Sequence, residues 1–159
     1  MKAYRIKNWQ EFFECSDSAK IKGALKWVAC PTKHDSKGFT RLMRMPEGLR
    51  IYGAFHLMVE VSAKLPRHLR GWLIDRDGPL DAQDLADKTG AAPEDFDLAL
   101  KLLADSRISW IEELEAPTFS PEISGDLAES TEISGGPRKF PSTGPDRTGH
   151  NRREQDTGR

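Results

Sequence analysis

The sequence predicts an α+β protein: a winged helix-turn-helix domain over residues 1–116, with an N-terminal hairpin and helix extension, followed by a disordered tail over 117–159. Three observations carry this expectation. Two short helical patterns meet at a glycine turn near residue 90. Strand-like runs flank them. From Pro117 onward, Pro, Gly, Ser and Thr supply about half of the residues, too few apolar groups to offset ordering entropy.

Taken in order, Trp9, Phe12 and Phe13 fall at helix-like spacing. Ser16 or Asp17 is suited to cap a short helix running towards Lys26. Leu25–Cys30, halted by Pro31, and Gly38–Met43 then read as two strands of a hairpin across a polar loop. Pro46-Glu47-Gly48 opens the longest helical pattern. Ile51, Phe55, Met58 and Ser62 lie on one stripe, with Ala54, Val61 and Leu65 beside it, and Pro66 ends it. This is the expected central helix, and Gly53 within it is expected to allow close packing.

Gly71–Ile74 reads as a short strand and Asp75–Pro79 as a turn. Asp81 caps a helix over Ala82–Lys88, and Thr89-Gly90-Ala91-Ala92 breaks it. Pro93, Glu94 and Asp95 suit a helix N-terminus, and Phe96, Ala99, Leu100 and Leu103 form one apolar face. Ile108–Ile111 is strand-like and expected to pair with Gly71–Ile74. Helix, strand, helix, helix, strand is the winged-helix order. Beyond residue 116, Glu-Ile-Ser-Gly recurs at 122–125 and 132–135, and Thr-Gly three times, which reads as low complexity.

Charge is unevenly distributed. Residues 1–70 hold 14 Lys and Arg against 6 Asp and Glu, whereas residues 71–132 hold 4 against 16. A basic half points to an anionic partner, nucleic acid being the common case. The exposed face of the second short helix carries Glu94, Asp95, Asp97 and Asp105, with Lys101 its lone cation. Phosphates repel such a face, so it reads as a protein-contact surface, for a basic partner or a second copy. DNA contact is expected from Lys33, Lys37, Arg41 and Arg44 around the hairpin, from Lys64, Arg67, His68 and Arg70 after the long helix, and from Lys101 on the second short helix.

Other chemistries find no pattern. Cys30, His34, His56 and His68 match no zinc-ligand spacing. No phosphate-binding glycine loop is present, and the carboxylates of 75–115 read as a solvated acidic face rather than an acid–base pair. The sequence therefore predicts no enzyme, no metal, no cofactor and no small-molecule substrate. No apolar run nears the ~20 residues of a membrane helix, and the start lacks the apolar segment of a signal peptide. A cytoplasmic protein without a membrane partner is expected, and two cysteines fit that compartment. Trp27, Trp72 and Trp110 read as core residues rather than base-stacking platforms, with Trp9 left open.

Several stretches resemble the N-terminal domains of phage replisome organisers. They are Asn8–Glu14, Trp27-Val28, Lys33-His34-Asp35 with Gly38-Phe39, Tyr52–Phe55 leading into Val61–Lys64, Arg70–Leu73, Leu85–Gly90, Phe96–Leu100 and Ile108–Ile111. The resemblance covers roughly residues 5–114. It implies a winged-helix domain that binds phage origin DNA and helps recruit a helicase or its loader. An interaction adaptor and a transcriptional regulator are the alternatives on the same fold.

Overall fold

The computed structural model describes residues 1–32 and 34–117. The expected tail from 118 onward lies outside them. The described residues form an α+β fold: β1 (Lys2–Ile6), α1 (Trp9–Phe12), α2 (Lys37–Met43), α3 (Gly48–Ala63), α4 (Ala82–Thr89), α5 (Pro93–Ala104) and β2 (Ile111–Glu115).

The long helix forms as its apolar stripe dictates. Ile51, Ala54, Phe55, Met58, Val61 and Ser62 are all buried, and α3 packs against α2, α4 and α5. Gly53 does not do the packing expected of it. It is exposed and has no neighbour that a Cβ would meet. The close approach occurs at Gly48 instead, where a Cβ would collide with the Leu42 carbonyl.

The α4–α5 pair is fixed largely by local chemistry. Asp81 accepts from the Asp84 N–H at 2.9 Å while the Asp84 carboxylate accepts from the Asp81 N–H at 3.0 Å, a reciprocal capping box. Gly90 ends α4 at φ +77°, the left-handed conformation that favours glycine. Pro93 opens α5. Phe96, Ala99 and Leu103 are fully enclosed.

The sheet differs from expectation. Ile111–Glu115 pairs antiparallel with β1, from Lys2 opposite Glu115 to Ile6 opposite Ile111. Gly71–Ile74 lies on the other side of β1: Ile6 N–H donates to Gly71 O at 2.7 Å and Leu73 N–H to Tyr4 O at 2.9 Å. The first residues of the chain therefore stand between the two runs expected to pair with each other. The last strand also begins at Ile111 rather than Ile108. Asp105 folds the chain into a tight turn first, its carbonyl accepting from Ile108 and Ser109 at 2.9 and 2.8 Å.

The expected N-terminal hairpin does not form. Ser36 caps a helix by accepting from the Phe39 N–H at 3.2 Å, so residues 37–43 are α2. Its proposed partner strand is engaged elsewhere. Leu25 N–H donates to Ala63 O at the end of α3, and Lys22 O accepts from Arg67 N–H. The helix expected from Ser16 or Asp17 towards Lys26 shrinks to a three-residue 3₁₀ turn, Ser18–Lys20. Arg70 is the reason. Its guanidinium is buried and donates to the carbonyls of Ser18 at 3.1 Å, Gly23 at 2.6 Å and Ile21. Carbonyls turned inward to an arginine are drawn away from the next helical turn.

A candidate nucleic-acid interface beside an aromatic cleft

The switch from strand to helix gathers cations that a strand would have scattered. Lys37, Arg41 and Arg44 are exposed at i, i+4 and i+7, one stripe of α2. Phe39, Leu42 and Met43 occupy the opposite side, with Leu42 fully buried. Arg41 reaches to 3.5 Å from the Arg107 carbonyl, tying the stripe to the turn after α5.

The second expected group divides. Lys64, Arg67 and His68 are exposed, and Arg67 and His68 share a shallow depression with Lys22 and Gln10. Arg70 does not belong with them. It is 3% exposed, paired with Glu14 at 3.1 Å, and its two Nη groups donate to loop carbonyls; it holds the fold and cannot reach a phosphate. Lys33 lies outside the described residues. On α5, Glu94, Asp97 and Lys101 are exposed as expected, whereas Asp95 is half-buried in an ion pair with Arg50 of α3.

A cleft of about 230 Å³ opens where β1, α1, α2, α3 and the 108–110 turn meet. Its walls are aromatic. Phe39 and Trp110 lie nearly parallel, 16° apart with centroids at 6.4 Å, and Tyr52 stands edge-on to both at 5.6 and 6.2 Å. Gly38 permits this wall, because a Cβ there would sit 3.0 Å from both Trp110 Nε1 and Ile108 O.

The polar groups of the cleft are few. Lys7 donates to Ser109 Oγ at 2.6 Å and, among the described residues, has no carboxylate partner. An ammonium has three donors, so two remain. His56 also lines the cleft, and burial pushes its imidazole below the ordinary value of 6.5. It is therefore neutral at pH 7, with one donor and one acceptor nitrogen. Its Nδ1 lies 3.9 Å from the Cys30 thiol. Among the described residues, two non-glycine positions have positive φ, Asn8 at 52° and Ser109 at 59°, and both line this cleft. Such conformations cost of order 1–3 kcal/mol each and concentrate at functional sites.

The turn carrying Ser109 and Trp110 is held by Asp105. Its carboxylate accepts from the backbone N–H, Nε and Nη2 of Arg107 at 2.8–2.9 Å, and the arginine holds the carboxyl down at about 2.

The sequence reading missed this cleft. Tyr52, Phe55 and His56 stand at i, i+3 and i+4 on α3, a readable aromatic stripe. The Lys7–Ser109 contact joins residues 102 positions apart, and no local pattern signals it. The tryptophans expected in the core are not enclosed: Trp27 is 56% exposed, and Trp72 and Trp110 are half-buried against core clusters, Trp110 as a cleft wall. Trp9, left open, is buried. Among the described residues, no group of three His, Cys, Asp or Glu could hold a metal, and no helix is long and apolar enough to cross a membrane. No family model, curated protein or solved structure matches this chain.

Proposed function

We propose that this protein binds nucleic acid through the cationic face of α2, on a variant winged-helix body, and serves phage DNA replication without catalysing a reaction. The observation that carries the reading is the exposed Lys37–Arg41–Arg44 stripe. Three cations on one helix face track a phosphate backbone, and binding releases condensed counterions. The helix-turn-helix reading is supported by α4, its Gly90 turn and α5 packed on α3. In this variant β1 takes the middle place between Gly71–Leu73 and β2. The replication setting, with a helicase or its loader as partner, rests on the family resemblance.

The acidic surface of α5 supports a narrower role for the helix pair. Exposed Glu94 and Asp97 disfavour its insertion in a groove. Nucleic acid is therefore assigned to α2 and the cleft side, and α5 is left for a protein contact.

The test is fluorescence anisotropy of the full chain with labelled single strands and duplexes at several salt concentrations. Replacing Lys37, Arg41 and Arg44 together by alanine should weaken binding to either form. It should also flatten the log–log salt dependence by about two to three, at roughly 0.7–0.9 per lost phosphate contact. Absence of binding at low salt overturns the proposal. The adaptor alternative, in which α5 is the whole working surface, predicts that Glu94→Lys with Asp97→Lys abolishes capture of a basic partner. The nucleic-acid reading predicts that this pair keeps or raises nucleic-acid affinity.

A further inference from the structure

Resting on that reading, we infer that the aromatic cleft receives one unstacked base of a single strand, so that the strand and not the duplex is the preferred ligand. Size is the first argument. At about 230 Å³ the cleft falls below the 300–1,000 Å³ of sites for drug-sized ligands. That suits a single small ring better than a larger ligand.

The chemistry of the walls is the second. Trp110 presents its ring as a face nearly parallel to Phe39, which His34 flanks at 4.8 Å, and Tyr52 presents an edge. A base stacks on such faces whatever its identity, because every base has a π-face. Neutral His56 and the two spare Lys7 donors supply the hydrogen-bonding groups that a base edge or its flanking phosphate requires.

Charge is the third, and it identifies the source of the ring. The half-buried Lys7 has no carboxylate partner among the described residues. Ser36 and Phe39, which line the cleft, belong to the same α2 segment that exposes Lys37 and Arg41. A strand crossing the N-terminal end of α2, from the exposed Lys37 to Ser36 and Phe39 on the cleft side, would bring a base to the cleft. A duplex keeps its bases stacked inside, where a recessed cleft cannot reach them without the cost of unstacking. The positive φ of Asn8 and Ser109, which stand at this one cleft, fits a site whose geometry is held for a ligand.

The experiment compares three ligands on the intact protein: a 15-residue oligothymidylate, an abasic strand of the same length, and the corresponding duplex. The abasic strand keeps every phosphate and lacks the stacking groups. One stacked base is worth about a 5- to 150-fold gain. The oligothymidylate should therefore bind that much more tightly than the abasic strand, and more tightly than the duplex. Trp110→Ala should remove most of the difference while leaving the abasic affinity unchanged. If that variant fails to fold, the indole N–H resonance of Trp110, assigned with Trp110→Phe, gives the answer on the unaltered chain. It should shift with oligothymidylate and stay still with the abasic strand. Equal affinity for the base-bearing and abasic strands, both lost in the Lys37/Arg41/Arg44 alanine variant, overturns the cleft inference and leaves the nucleic-acid reading standing. Free thymidine monophosphate competing as well as the strand also overturns it, because the ligand would then be a nucleotide. No binding to any of the three overturns both.

Discussion

Residues 14–32 and residues 81–104 are similar in length and lie in one fold, yet they are held in opposite ways. The second stretch carries its own instructions: a capping box at Asp81, a left-handed Gly90, a proline at the start of α5 and a periodic apolar face. The first has one three-residue 3₁₀ turn among its described residues. Its order comes from far away in the chain, through Arg70, which grips Glu14 and the Ser18, Ile21 and Gly23 carbonyls. Local signals make structure that can be read from sequence. A distant side chain makes equally definite structure that cannot.

The contrast can be broken most sharply at Arg70. Arg70→Met should cost about 3–5 kcal/mol, the penalty for stranding a buried partner charge, here Glu14 at 6% exposure. Phe96→Ala, in the self-specified stretch, should cost a similar 3–5 kcal/mol by opening a cavity. Urea unfolding of the two variants checks this. An Arg70→Met loss under 1 kcal/mol would mean that residues 14–32 are ordered by other contacts.

Smaller effects dissect the local signals. Gly90→Ala should cost about 1–2 kcal/mol from backbone strain alone, since open space surrounds the position. Asp81→Ala should cost about 1 kcal/mol as the cap is lost. Both are measurable as shifts in the thermal midpoint, and their sum in the double variant tests whether the caps at the two ends of α4 act independently.

The weakest effect probes the seam between the two kinds of structure, where His56 of α3 faces Cys30. Burial holds the imidazole below its ordinary 6.5. As pH falls below 6.5 the unfolded chain takes up a proton that the folded chain resists. The stability held by neutral His56 is therefore complete above pH 6.5 and declines as pH falls towards the folded value. Urea midpoints at pH 8 and pH 5.5 should differ less in His56→Gln than in the unaltered protein. An identical difference would show that His56 titrates as it does when unfolded.

How much was legible follows the same division. The stripe Ile51–Phe55–Met58–Ser62 located α3, and Asp81, Gly90 and Pro93 located α4 and α5 almost to the residue. Gly38–Met43 was misread because its partial alternation resembles a strand. The decisive facts were the Ser36 cap and the α3 surface that receives Leu42. The cations of that segment were legible as residues and illegible as a stripe, because strand and helix arrange them differently. Arg70 could not be separated from its exposed neighbours Arg67 and His68 by sequence, since only its burial distinguishes it. The cleft needed Lys7 and Ser109 brought together across nearly the whole domain.

The position of β1 has a consequence for synthesis. It pairs with Gly71–Leu73 on one side and with residues 111–115 on the other. β1 leaves the ribosome before either of its sheet neighbours and is the last of the three to be paired on both sides. Contacts of such sequence separation slow folding. Ala3 and Ile6, both buried in the finished protein, lack their β2 neighbours on the nascent chain until residue 115 has emerged. The helix pair, complete by residue 104, can form before then. A chain stalled between these points would carry a formed helical subdomain and an open-edged, sticky leading strand, the kind of intermediate that chaperones retain.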